Sequence, residues 1–304
     1  MALLALILVT AVWGVTFVQV KDAIEIYPLL AFLAVRYAIA TGVLGIAGAA
    51  RLRTLGRSGF AAGAVLGALL GLGIGLQTAG LERTTVSSTG FITGLYVVLT
   101  PIFGLLLFRT RVAVEVWLGV MLSVVGLAML SGVHVGSTAG DLLVLASTAA
   151  QALQIVMVER YANRYDAIAL TLVEMSTCCL AFLALALAAG DLSVPRGRMV
   201  WAALIVTGVF ASALAYLIQT WAQRSISAAR TALIYAMEPV FAGLFGYLLA
   251  GDRLGALGWV GCALILAGIV ASEPAAAEAI RRSTRRSPGR PRRRARSGRR
   301  RAGP

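Results

Sequence analysis

Residues 87–108 read SSTGFITGLYVVLTPIFGLLLF, without a single charged side chain. At 1.5 Å per residue such a helix is about 33 Å long, enough to cross the ~30 Å hydrocarbon layer of a bilayer. Similar runs recur from end to end. The chain has 304 residues, 59% of them hydrophobic and only 13% charged, and its mean hydropathy is +0.87. A soluble domain carries about 25% charged residues, because its surface faces water. These numbers describe a polytopic membrane protein. A β-barrel would alternate polar and apolar residues in strands of about ten, and this chain does not.

Ten segments are apolar and long enough to predict spans: 2–20, 27–49, 60–80, 87–108, 116–131, 141–158, 167–189, 199–221, 228–250 and 255–273. The expected fold class is therefore all-α, an integral membrane protein of ten transmembrane helices. Short connections leave no room for an inserted soluble domain. The start, MALLALILVTAVWG, has no basic region and no small-residue cleavage site. It is read as the first span rather than a signal peptide.

The formal charge of +14 is concentrated at one end. Twelve arginines and no acid follow from Arg281 onward, which leaves only +2 for the rest. The basic balance thus belongs to a tail, and no nucleic-acid partner is expected. With the N-terminus placed in the cytoplasm, predicted inner loops hold nine arginines and outer loops hold five lysines and arginines. The positive-inside rule favours that orientation, with both termini cytoplasmic.

The sequence also repeats. TPIFGLL at 100–106 is echoed by EPVFAGLF at 238–245, and WLGVMLSVVG at 117–126 by WVGCALILAG at 259–268. LQTAGLERTTVSS at 76–88 is matched by IQTWAQRSISAA at 218–229. The offset is about 140 residues, or five spans. An odd number of spans inverts the second copy. Two inverted repeats that rock about a central site are the architecture of secondary transporters. The expected units are a first five-helix repeat at 1–131, a second at 140–273, and a disordered arginine-rich cytoplasmic tail at 274–304.

Three longer stretches carry a family resemblance: WGVTFVQVKDAI at 13–24, STGFITGLYVVLTPIFG at 88–104, and SAARTALIYAMEPVFAGLFGYLLAGDRL at 227–254. In these the sequence resembles the EamA-type transporters of the drug/metabolite transporter superfamily, over about residues 1–273. The resemblance implies a ten-helix carrier with two inverted halves and cytoplasmic termini. It implies export of small metabolites, amino acids or drugs. The chain departs from the family at Glu174, where glutamine or another neutral polar residue is common.

Three ionisable residues fall well inside predicted spans: Arg36, Glu174 and Glu238. Intramembrane charges are expensive and face a cavity or a partner. Arg36 and Glu174 occupy matching places in the second and seventh segments, so they are expected to approach each other or line one cavity. The alternative is a structural ion pair that locks the halves. Glu238 precedes Pro239, and Pro239 and Pro101 are expected to kink their helices. Its carboxyl is read either as a substrate-orienting or proton-coupling acid or as the group that satisfies the kink. One arginine against two acids hints at cationic or zwitterionic cargo.

Trp13, Gln77, Tyr96, Gln154, Tyr216, Gln219 and Tyr235 complete the candidate cavity wall, with Gln19, Gln151 and Trp221. Ligand sites are mainly apolar and aromatic with a few fixed polar groups. Each of these residues alone is more readily read as packing or an interfacial anchor. Gly63, Gly67, Gly71 and Gly75 lie four apart on one helix face, a pattern for close helix packing.

Cys178, Cys179 and Cys262 are scattered in apolar runs, and His134 is the lone histidine. They make neither a disulfide framework nor a metal site, and no cofactor is expected. The sequence contains no Walker A, HExxH or GxSxG motif, so the expectation is a carrier and not an enzyme. A non-transporting sensor or assembly factor, or an intramembrane enzyme, is the competing reading. Neither needs an inverted repeat. The expected partners are a small-molecule substrate and the bilayer of a bacterial inner membrane. Anionic lipid is expected to attract the tail, at about 1 kcal/mol per arginine near the surface. The glycine faces are compatible with a monomer or a homodimer.

Overall fold

Apolar runs in lipid must bond every backbone N–H and C=O within the segment, and a helix does so. The computed structural model describes residues 1–131, 139–245 and 255–272, and every regular element among them is helical. In chain order they are α1 (Ala2–Ile26), α2 (Leu29–Gly48), a 3₁₀ turn (Ala49–Thr54), α3 (Gly56–Leu81), α4 (Val86–Gly94) and α5 (Tyr96–Phe108). Next come α6 (Val114–Ser131), α7 (Ala139–Ala162), α8 (Ala167–Ala189) and α9 (Arg198–Ile205). A π-helical stretch (Val206–Leu214) runs into α10 (Ala215–Ala222), followed by α11 (Ala228–Tyr235), α12 (Glu238–Phe245) and α13 (Ala256–Ala271). Side-chain caps set several starts. Thr85 Oγ1 accepts from Ser88 N at 3.0 Å, and Asp166 Oδ1 accepts from Ala169 N at 3.0 Å, satisfying donors that a helix start leaves orphaned. Gly190, in the left-handed region at φ 71°, ends α8, a conformation that costs glycine least.

Eight helical stretches among the described residues are long and apolar enough to cross a membrane, and they coincide with the first eight expected segments. A further apolar helix, α13, has 16 residues. His134, the end of the ninth segment with Gly-Asp-Arg-Leu at 251–254, and the tail lie outside the described residues.

Four segments differ from the expectation. The first continues to Ile26 instead of ending near 20, which carries Lys21, Asp22 and Glu25 onto the helix. The fourth yields at Leu95, nearly two turns before Pro101, which sits inside α5. Leu95 N–H bonds back three residues to Ile92 O at 3.1 Å, beside Gly94, where backbone freedom weakens the helical ladder. The ninth is broken at Ala236–Met237, so Pro239 is not an interior kink. It is the second residue of α12, where its missing N–H is one that a helix start leaves unbonded anyway. The eighth is widened over nine residues into a π-helix, a geometry that re-aims side chains and frees carbonyls.

The helices pack as pairs: α6 on α13, α3 on both α7 and α8, α2 on α8, and α1 on α12. The glycines explain how close they come. A Cβ on Gly119 would lie 2.6 Å from Gly268 O, and one on Gly126 would lie 2.6 Å from Gly261 O. Gly63, Gly67, Gly71 and Gly75 face Val173, Thr177, Cys178 and Phe182 of α8, so this stripe packs α3 on α8 within the chain.

Polar contacts mark two ends. At one, Arg51 Nη1 pairs with Asp166 Oδ2 at 3.1 Å, and Arg224 donates to Ala162 O and Tyr165 O, both at 3.0 Å. At the other, Tyr27 Oη donates to Ser193 O at 2.7 Å, and Thr84 Oγ1 to Asp141 Oδ1 at 2.7 Å.

Candidate functional site

Helical periodicity builds the central cavity. α1 presents Trp13, Thr16, Phe17 and Val20, and α3 presents Ile74, Gln77, Thr78 and Leu81. Each set is spaced i, i+3, i+4, i+7 and so lies on one face of its helix. Arg36 of α2, Gln151 of α7, Tyr216 of α10 and Glu238 of α12 close the wall. The cavity measures about 50 Å³. Roughly 10–15 Å³ holds one water on this measure, so it has room for on the order of three to five.

The π-helix fixes two cavity residues. Arg36 Nε donates to Ser212 Oγ at 2.8 Å, and Trp13 Nε1 donates to Ala211 O at 2.9 Å. Ala211 and Ser212 both lie in the π-helical stretch. The guanidinium also stands 5.6 Å from the centre of the Tyr37 ring. Gln77 Nε2 donates to Thr93 Oγ1 at 2.9 Å.

Glu238 sits on the cavity wall just after the break in the ninth segment. Tyr96 Oη donates to its Oε2 at 3.2 Å. Tyr96 and Tyr235 make an edge contact at 6.2 Å, Trp13 meets Tyr235 at 4.8 Å, and Trp13 meets Tyr216 at 5.7 Å. Offset and edge-on rings at such distances are favourable. Gly14 makes this arrangement possible. A Cβ there would lie 2.8 Å from Ala242 N and 2.9 Å from Glu238 O. The Trp-Gly pair at 13–14 thus supplies one ring and one backbone contact.

Glu174 belongs to a second polar cluster. Gln154 Nε2 donates to Glu174 Oε1 at 2.7 Å, and Gln219 Nε2 donates to Gln154 Oε1 and Gln223 Oε1, each at 3.0 Å. Gln223 Nε2 then donates to Ile155 O at 2.9 Å. All four side chains are buried.

Of the thirteen candidate residues, Trp13, Arg36, Gln77, Gln151, Tyr216 and Glu238 line the cavity, and Gln19 and Trp221 do not. Tyr96 and Tyr235 back Glu238 from behind, whereas Glu174, Gln154 and Gln219 form the separate cluster. Arg36 and Glu174 make no ion pair within 4.0 Å among the described residues. Both act electrostatically on Tyr37, Cys178 and Tyr216, so they share a neighbourhood without a bond. Sequence reasoning missed Gly14, Thr93, Ser212 and Gln223. Gly14 had a signal, in the Trp-Gly pair. Among the described residues no His, Cys, Asp and Glu side chains gather as metal ligands, and the three cysteines are free thiols.

The family model of EamA-like transporters matches residues 1–132 and again 138–272. The chain belongs to the EamA-like transporter family. An uncharacterized transporter of Archaeoglobus fulgidus is 30% identical over 267 residues, which cover 88% of this chain and 84% of that protein. A solved crystal structure, 20% identical, superposes with a TM-score of 0.75 over 91% of this chain and 98% of its own. That likeness is one of fold. The EamA-like chain is therefore a multi-pass membrane transporter, and its cavity residues are to be read as parts of one.

Proposed function

We propose that this EamA-like protein is a secondary active carrier that exports small metabolites, amino acids or drugs by alternating access. The observation that carries this reading is the presence of Arg36 and Glu238 on one small cavity wall beside Trp13 and Tyr216. An arginine fork matches a carboxylate, and a carboxylate beside aromatic faces suits an ammonium group. Zwitterionic cargo complements both charges at once. The cavity has room for only a few waters, so larger cargo enters only when its walls part, as alternating access requires. The EamA-like chain works as a carrier and not as an enzyme.

The proposed engine is a pair of inverted five-helix repeats, 1–131 and 140–273, making ten spans in all. Support comes from the reciprocal glycine contacts of α6 and α13. Gly119 and Gly261 occupy equivalent places in the repeated sequence, as do Gly126 and Gly268. Gly119 meets Gly268 while Gly126 meets Gly261, which is what a twofold axis between the repeats produces. The paired packing of α2 on α8 fits the same axis. The short connections, with no soluble domain, favour a bacterial inner membrane, and their arginines favour both termini in the cytoplasm, where the tail from 274 would meet anionic lipid.

The test compares metabolites in spent medium from cells that express the wild type or Glu238→Ala at matched membrane levels. A solute bearing both amine and acid groups, enriched outside only with the wild type, is the expected result. If no solute changes in medium or cytosol, the export reading fails.

A further inference from the structure

Glu174 is 0% exposed, yet its Oε2 has no hydrogen-bond partner. Gln219, 1% exposed and in the same cluster, has an Oε1 that also lacks one. Both are acceptors, and the amide hydrogen bonds branch from Gln219, which donates to Gln223 and to Gln154, while Gln154 donates to Glu174 and Gln223 to Ile155 O. A buried acceptor left unpaired is expensive, and two in one cluster point to a missing donor.

Among the described residues no cationic group supplies that donor. Arg36 of α2 is turned to Ser212, and Arg51 of the 3₁₀ turn is spent on Asp166, two turns away along α8. α3 carries no titratable side chain after Arg57. The titratable groups around Glu174 are the phenols of Tyr37, Tyr216 and Tyr235 and the thiol of Cys178, and the buried hydroxyls of Tyr37 and Tyr235 are not bonded to it. On α7, Glu159 is engaged with Ala228 N. An ionised carboxylate here would stand without a countercharge, whereas a carboxylic acid needs none and brings a hydrogen.

We propose that Glu174 is a dedicated proton-binding site, separate from the Glu238 cavity, in which the proton rides on Oε2 and is donated toward the Gln219 side-chain carbonyl. Protonation then fills both acceptors together. Tyr216 ties the site to the cargo cavity. It lines that cavity and stands near Arg36, Glu174 and Glu238. The proton site stands on its own geometry, and only its use as the driving ion rests on the carrier reading above.

Infrared difference spectroscopy of the full chain in lipid, stepped in pH, tests the site without any transport. The expected spectrum has a carboxylic-acid C=O band that titrates, persists in Glu238→Gln and disappears in Glu174→Gln. The Gln side chain keeps the bond from Gln154 and donates where the acid did, so this variant is expected to fold at wild-type yield. Gln219→Met removes the acceptor and is expected to move the band to higher frequency without abolishing it. The proposal is overturned if the band survives Glu174→Gln, or if Gln219→Met leaves it unmoved. It is also overturned if exchanging choline for sodium at fixed pH erases the band, because a metal ion would then be the occupant.

Discussion

Arg36 offers five N–H donors, and among the described residues only Nε has a hydrogen-bond partner, Ser212. That single bond orients the guanidinium while the rest of the fork faces the cavity. A lysine would keep the charge but lose both the Ser212 bond and the planar fork. The two functions therefore separate by substitution. Losing a hydrogen bond to a charged group costs about 1.5–3 kcal/mol, roughly 10- to 150-fold in affinity. Arg36→Lys should raise the KM for the cargo that the metabolite comparison identifies, and Arg36→Gln should raise it further. Membrane levels should stay near those of the wild type. Equal KM in all three would remove Arg36 from the cargo site. The sequence revealed the charge at 36 but not Ser212. A serine in an apolar helix ordinarily bonds its own backbone, and only the π-helical turn points this one at α2.

Helix packing in lipid rests on close backbone approach, because apolar surface gains little by leaving lipid tails. The α6–α13 contact is the clearest case, with glycine against glycine at two levels. Gly119→Leu should force the helices apart. Overpacking of this kind costs typically 1–3 kcal/mol, and a melting temperature several degrees lower is expected in lipid or detergent. Gly45→Leu is the control, since a Cβ at Gly45 meets nothing within 4 Å. A similar loss at both positions would mean that the cause is the added bulk and not the contact. The first eight segments were legible because about twenty apolar residues announce a helix directly. The breaks were less so. Proline marks a disturbance without its exact place, and the ladder yielded at Leu95 and at Ala236–Met237 rather than at Pro101 and Pro239. Nothing in VTGVFASAL announced a π-helix, and α2 and α1 pack against that stretch.

The molecule as a whole has two ends that differ in charge. The end joined by Arg51–Asp166 and by Arg224 also carries Arg53, Arg57 and Arg164, whereas the end joined by Tyr27–Ser193 carries Arg83, Arg196 and Arg198. Charge alone made the orientation legible, but only weakly, because the connection at 191–198 argues against it. The hydrogen bonds add what charge cannot, namely which connections share an end. Arg53 and Asn163 must then face one compartment and Ser193 the other, whichever way the chain inserts. All three are exposed, so each accepts a single cysteine on a background in which Cys178, Cys179 and Cys262 are replaced by alanine. A membrane-impermeant maleimide added to intact cells should label Ser193→Cys and spare Arg53→Cys and Asn163→Cys until the membrane is opened. The reverse pattern would keep the fold and invert the orientation, so that an export assay would have to be rerun as uptake. Labelling of all three from one side would break the pairing of ends, and with it the inverted-repeat engine.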